Sequence, residues 1–214
     1  MDFIDEKLSA YAEAHTTAES PLLAELNRET WAKILMPRML SGHIQGRLLS
    51  MFSKMIQPRE ILEIGTYTGY SALCLAEGLA EGGVLNTIDI NEELEDMVRK
   101  YIRKAGLEEN IKFHIGNALE IIPKLSTHFD LVFIDADKEN YSNYYDLVIE
   151  RMRTGSYIIA DNVLWSGKVT ESAEIANDQE TRALHEFNIK VQNDSRVENI
   201  LLPVRDGLMV IRKR

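Results

Sequence analysis

The 214-residue sequence predicts an α/β domain in which a parallel sheet carries helices on both faces and ends in an antiparallel hairpin. Three observations predict it. From Pro58 onward, short apolar runs alternate with segments of helical periodicity, and continuous rather than alternating runs mark strands covered on both faces. Only Arg205-Asp206-Gly207 separates the last two runs, and Asp-Gly is a strong tight-hairpin signal, so that pair is antiparallel. Finally, 45% of the chain is apolar, with five Pro and twelve Gly, which suits one sizeable core and excludes a disordered or collagen-like chain.

The elements follow in chain order. Residues 1–57 read as a helical extension, or lid, ahead of a core at 58–214. Residues 5–15 are amphipathic. Pro21 opens a second helix through Leu22, Leu23, Leu26 and Ile34, and Pro37 stops it. A third helix covers 42–57, with Ile44, Leu48, Met51, Phe52 and Met55 on one stripe. Strands are expected at 60–64, 83–90, 111–115, 129–134 and 156–160, with helices at 71–80, 92–105, 118–125 and 140–152 between them. A helix at 179–192 and strands at 197–204 and 207–212 complete the chain. Neither a repeat nor a Gly/Ser linker interrupts it. A parallel sheet closed by a hairpin departs from the two-half dinucleotide fold.

Composition limits the partners. A formal net charge of −10 repels polyphosphate and lowers the expectation of nucleic-acid or anionic-membrane binding. Lys100, Arg103 and Lys104 read as a solvated helix face. The lone Cys74 excludes an internal disulfide framework and a multi-thiolate zinc site, and its apolar setting makes it core. No apolar run spans a bilayer, and Met1-Asp2-Phe3-Ile4-Asp5-Glu6-Lys7 lacks the regions of a signal peptide, so the expected address is cytoplasmic.

The chemistry-bearing residues cluster at strand ends. Glu63-Ile64-Gly65-Thr66-Tyr67-Thr68-Gly69-Tyr70-Ser71 leads from a strand into a helix, and its glycines let backbone approach a ligand. The spacing is not Gly-x-Gly-x-x-Gly, which disfavours a nicotinamide oxidoreductase. Asp89 ends the second strand, where a carboxylate accepts hydrogen bonds from a ribose diol; its competing role is to cap the next helix with Asn91. One strand ends in Asp135-Ala136-Asp137-Lys138 and its neighbour in Asp161-Asn162. Two carboxylates and an amide oxygen form a hard oxygen site, suited to Mg²⁺, Mn²⁺ or Ca²⁺ and open to substrate oxygens. Lys138 would share that site, either as a general base or as an exposed lysine starting a helix. The five histidines, His15, His43, His114, His128 and His185, show no metal-like spacing, and Ser71 lacks evident triad partners.

Together these segments, with Phe133-Ile134-Asp135-Ala136-Asp137-Lys138-Glu139-Asn140-Tyr141 and Asp161-Asn162-Val163-Leu164-Trp165-Ser166-Gly167, resemble the cation-dependent O-methyltransferases, which include the caffeoyl-CoA and catechol enzymes. The resemblance runs in order from about Leu40 to the C-terminus. It implies a Rossmann-like, seven-stranded methyltransferase sheet with S-adenosylmethionine in the glycine crevice and a homodimeric assembly. It further implies that Glu63, Gly65, Thr66 and Ser71 line the methionine and ribose side, that Asp89 takes the ribose hydroxyls and that Ala118 touches adenine. Asp137 would hold the methionine amino group. Asp135, Asp161 and Asn162 would be metal ligands, with Lys138 as base.

Asp137 stands where the catechol branch has tryptophan, as in the caffeoyl-CoA branch. The segment Met36-Pro37-Arg38-Met39-Leu40-Ser41-Gly42-His43 departs from that branch's usual loop, and the chain lacks an obvious basic set for a coenzyme A tail. The expected acceptor is therefore a small aromatic vicinal diol, walled by Met36, Met39, Tyr141, Tyr144 and Trp165. The alternatives are methylation of 5-hydroxyuridine in tRNA and nucleotide binding without catalysis.

Overall fold

The computed structural model describes residues 5–125 and 128–214. The start of the acidic N-terminal segment, 1–4, lies outside them. Among the described residues, seven strands form one sheet in the order β3-β2-β1-β4-β5-β7-β6: β1 Glu60–Ile64, β2 Val84–Asp89, β3 Ile111–Ile115, β4 Phe129–Ile134, β5 Met152–Ala160, β6 Val197–Leu202 and β7 Leu208–Lys213. The first five pair in parallel, and β7 inserts antiparallel between β5 and β6. The strand order reverses at β1 and β4, so the loops after β1, β2, β4 and β5 open on one crevice.

Two apolar clusters cover the sheet. One joins Leu62, Ile64, Val132 and Ile134 to Tyr145, Val148, Leu184 and Phe187 of α7 (Tyr141–Ile149) and α9 (Gln179–Asn193). The other joins Ile61, Leu85, Leu131 and Phe133 to α4 (Tyr70–Ala76) and α5 (Glu95–Lys104), and reaches Leu23 and Leu26 of α2 (Pro21–Lys33) and Leu49 of α3 (Gly42–Ile56). Pro21 opens α2 behind Ser20, whose hydroxyl accepts from Leu23 N at 3.2 Å. The amphipathic 5–15 segment is α1 (Glu6–Ala14), which buries none of its residues. A short helix α6 (Ala118–Ile121) follows β3, and α8 (Ser172–Asn177) precedes α9.

Three expectations change. The stripe on α3 lies at the edge of the core rather than in it: Leu48 and Phe52 pack against it half-buried, Met51 and Met55 are 59% and 74% exposed, and Gln45, Gly46, Leu49, Ser50 and Ser53 are the buried positions. Close approach to α4 explains it. A Cβ on Gly46 would lie 2.5 Å from the Tyr70 ring, and Ser53 Oγ donates to the Leu75 carbonyl at 2.6 Å. Such an interface selects small residues rather than large apolar ones.

The first hairpin strand is also two residues shorter than expected and the second begins one residue later, leaving 203–207 as the turn. Pro203 supplies no N–H for the ladder, and Val204 N bonds locally to the Leu202 carbonyl at 2.8 Å. In contrast, β5 starts at Met152 rather than 156, because Phe129 pairs with Met152 across a register shift. The Lys100, Arg103 and Lys104 face is spent in ion pairs with Glu29, Glu108 and Glu25.

Candidate active site

A cavity of about 900 Å³ opens where the parallel strands end. Its floor is set by backbone. Gly65 (φ 100°) follows β1 so closely beneath β4 that a Cβ there would sit 2.0 Å from the Asp135 carbonyl oxygen. Only glycine fits, for both space and dihedral. Tyr67 also takes a left-handed backbone (φ 50°), and its N–H donates to Asp89 Oδ2 at 2.7 Å. Asp89 Oδ1 accepts from Asn91 N at 2.9 Å, whereas the following 3₁₀ turn is capped by Asn91 itself, through Glu93 N at 3.0 Å. Asp89 is therefore free of the capping role and lines the cavity.

Thr66, Ser71 and Ala118 line the same half, with Gly65 and Gly116. Glu63 does not. It is fully buried beneath the cavity, where Thr87 Oγ1 donates to its Oε2 at 2.5 Å and Oε1 finds no hydrogen-bond partner. Burial pushes its carboxyl up to about 8, against the pull of the Ser71 and Thr87 hydroxyls. Glu63 thus stands behind Gly65 and Ser71 at the base of this wall, with one carboxylate oxygen unpartnered. At the far side Asp137 lines the cavity, with Oδ1 accepting from Tyr144 OH and Oδ2 from Asn140 Nδ2, each at 2.5 Å.

The second half holds the acids. Lys138, whose side chain is 9% exposed, donates to Asp135 Oδ1 at 3.0 Å, to Asn162 Oδ1 at 2.8 Å and to Tyr141 OH at 2.8 Å. The role of an exposed lysine is thus excluded. Two of the expected ligand oxygens share one nitrogen, which brings them within reach of a common cation. Asp161 completes the set: it is 3% exposed, and burial, then the nearby Asp135 carboxylate, push its carboxyl upward. Its Oδ1 accepts from Asn162 N at 2.7 Å, and its Oδ2 from Gln45 Nε2 at 2.5 Å.

Among the described residues, no group of three or more His, Cys, Asp or Glu gathers in this way. The candidate donor set is two carboxylates and one amide. It fits a hard dication: all three groups offer oxygen, Asp135 and Asn162 already share the Lys138 amine, and the neighbouring Asp135 and Asp161 carboxylates repel each other unless a cation lies between them.

The loop after β5 carries strain. Asn162, Trp165 and Ser166 have φ of 59°, 46° and 54°. Asn tolerates that region better than most residues; Trp does not. This turn swings Asn162 back beside Lys138 and places Trp165 on the cavity wall, its ring 5.7 Å from Lys138 Nζ. Met36 and Met39 line the mouth, and Tyr144 lines the side.

Tyr141 is not a pocket wall. It is fully buried, its hydroxyl donating to the Asp161 carbonyl at 3.0 Å while accepting from Lys138. Its position in the first turn of α7 aims the ring inward against Phe187. Gln45 and Arg205 were not singled out from the sequence, although both bear on the site. The left-handed backbone at Arg205 (φ 51°) is invisible in the sequence, and Gln45 stands outside the apolar stripe of its helix.

Known proteins share this architecture. A protein family described as O-methyltransferase matches residues 12–214. Caffeoyl-CoA O-methyltransferase 2 of Populus trichocarpa is 35% identical over 196 residues, covering 87% of this chain and 79% of its own length. The Petroselinum crispum caffeoyl-CoA O-methyltransferase is 36% identical, covering 87% and 81%. The O-methyltransferase from Bacillus cereus, solved in complex with SAH, superposes with a TM-score of 0.90 at 28% identity, covering 97% of each chain. The O-methyltransferase of Streptomyces achromogenes involved in tomaymycin synthesis, solved with SAM, gives 0.88 at 27%, covering 97% and 96%.

Proposed function

From the premise that this chain belongs to the O-methyltransferase family and transfers a methyl group from S-adenosylmethionine to oxygen, we propose that its acceptor is a small aromatic vicinal diol and that transfer requires a divalent cation, Mg²⁺ foremost. The observation that carries this reading is the shared contact of Asp135 and Asn162 with Lys138, beside buried Asp161.

In this reading Asp89 accepts the ribose hydroxyls of the donor, Asp137 holds its amino group, and Ala118 packs on adenine. Gly65, Thr66 and Ser71 form the wall between them. Asp135, Asp161 and Asn162 hold the cation. When bound, the cation supplies charge that favours the oxyanion of an acceptor hydroxyl, which otherwise titrates near 10, as a phenol does. Lys138, as general base, takes the acceptor's proton. The oxygen then forms a bond to the methyl carbon as the carbon–sulfur bond breaks, and sulfur keeps the electron pair. Trp165, Met36, Met39 and Tyr144 keep the planar acceptor in line, and orientation of this kind supplies several kcal/mol, up to about 7–11 in ideal cases.

The relatives' names carry a coenzyme A thioester. The smaller acceptor is favoured here by the lack of an obvious basic set in the sequence. Homodimerisation is part of the same proposal, supported by the uncovered Trp31, Leu35, Met51 and Met55, exposed by 58%, 93%, 59% and 74%.

A mass-spectrometric screen for one added methyl group across catechols, hydroxycinnamates, their coenzyme A esters, flavonoids and total tRNA tests the reading, with and without Mg²⁺. Methylated catechols or hydroxycinnamates, formed only with the cation, are expected. Methylation of tRNA or thioesters alone would replace the acceptor, and turnover of any substrate without a dication would remove the metal.

A further inference from the structure

We propose that Gln45 and Arg205 form a positioning relay that sets the direction in which Asp161 presents its carboxylate to a cation. The relay rests on the cation reading above. Gln45 lies in the first turns of α3 and is 1% exposed. Its Nε2 donates to Asp161 Oδ2, and its Oε1 accepts from Arg205 Nη1, each at 2.5 Å. The same Arg205 nitrogen donates to the Ser41 carbonyl. Residues 116 and 160 positions apart in the chain thereby meet in one line.

Donor and acceptor chemistry makes the order of this line directional. A guanidinium only donates, and an ionised carboxylate only accepts. A carboxamide does both, at opposite ends, and is the adaptor between them. With Arg205 holding Oε1, the amide has one orientation, and its N–H must face Asp161. Without Arg205, the amide can rotate and present oxygen to a carboxylate. Asn162 N fixes the other carboxylate oxygen at 2.7 Å, so the plane of the Asp161 group is defined from both sides.

The backbone at Arg205 shows that its side chain is what the position needs. It lies in the left-handed region (φ 51°), which is strained for a non-glycine residue. Glycine would make the same turn without that strain. The turn is also tied to the loop bearing Asn162: Leu164 N donates to the Asp206 carbonyl at 2.9 Å, and Ser166 N to Asp206 Oδ1 at 2.5 Å. Gly207, where a Cβ would meet Leu164 Cγ at 2.5 Å, seals the contact. Helix α3, the β5 loop and the hairpin turn therefore converge on a single carboxylate.

The test compares wild type with Arg205→Gly, Arg205→Lys and Gln45→Leu by Mn²⁺ binding (electron paramagnetic resonance), S-adenosylmethionine binding (calorimetry) and thermal unfolding. Removing an outer partner of a metal ligand typically lowers metal affinity 10–100-fold. Arg205→Gly should therefore bind Mn²⁺ at least tenfold more weakly, with an unchanged or higher Tm and donor affinity within twofold of wild type. Arg205→Lys should recover part of the Mn²⁺ affinity, because an ammonium can also donate to Gln45 Oε1. Gln45→Leu should lose at least as much as Arg205→Gly; should it fail to fold, Arg205→Gly decides.

Mn²⁺ affinities within twofold of wild type in the folded variants would overturn the relay and leave the cation reading intact. Equal losses of Mn²⁺ affinity, donor affinity and Tm would also overturn it, by showing a merely structural role. A wild type that takes up no Mn²⁺ would overturn the cation reading, and the relay with it.

Discussion

The two halves of the cavity are built on different principles. The donor half is made by regular structure: the ends of β1, β2 and β3, a glycine with no room for a side chain, and carboxylates whose partners are backbone amides or neighbouring side chains within a few residues. The acceptor half is made by side chains on irregular segments, namely the 36–41 turn, the strained 162–166 loop and the 203–207 turn. Topology alone specifies the first. The second exists only when three distant segments pack together, so its shape can vary while the sheet stays the same. A common donor and a variable acceptor are what such a division permits.

Substitutions should separate the halves. The largest effect is expected at Gly65→Ala, where the added carbon meets backbone that cannot yield: destabilisation on the order of 3 kcal/mol or more in urea unfolding, with loss of donor binding. A variant as stable as wild type would show that the donor floor is less rigid than the acceptor loops. Next comes Asp161→Ala, which should lower turnover by about 100-fold or more and abolish Mn²⁺ uptake, while donor affinity in calorimetry changes by no more than about twofold. Equal loss of both affinities would merge the two halves.

Asp89→Ala should do the opposite. Donor affinity should fall roughly 10–100-fold, since hydrogen bonds to a charged group contribute about 1.5–3 kcal/mol, and turnover at saturating donor should persist. The last effect concerns Glu63, buried below the donor half, and touches stability rather than donor binding or turnover. Its folded-state pKa of about 8 lies above its ordinary 4.5, so its contribution to stability is fully present below 4.5 and is lost as pH rises to 8. Glu63→Gln removes that loss. The difference in Tm between variant and wild type, measured without donor, should therefore shift in the variant's favour across pH 4.5 to 8 and then level off; a difference independent of pH would contradict the burial argument.

The same division governs what the sequence discloses. The parallel strands, the glycine turn and the acids at strand ends are legible because each is a local pattern: a continuous apolar run, a Gly-x-x-x-Gly, an Asp closing a strand. Asp89 could be separated from a capping role only in the structure, where Asn91 takes the cap. Glu63 and Tyr141 were readable as site residues but not as buried ones, since a pleat and a helix phase decide which way each points. The stripe on α3 misleads at Met51 and Met55 for a related reason, the α3–α4 contact being close enough to require Gly46 and Ser53. Gln45 and Arg205 leave no local signal. Their meaning lies in a long-range pairing and in a left-handed residue on a turn.

The most direct test measures both halves in one protein after dialysis against EDTA. S-adenosylmethionine affinity by calorimetry should stay within about twofold of the untreated value, while methyl transfer to a catechol disappears and returns with Mg²⁺. Undiminished transfer in EDTA, or a donor affinity that collapses with the metal, would contradict the account.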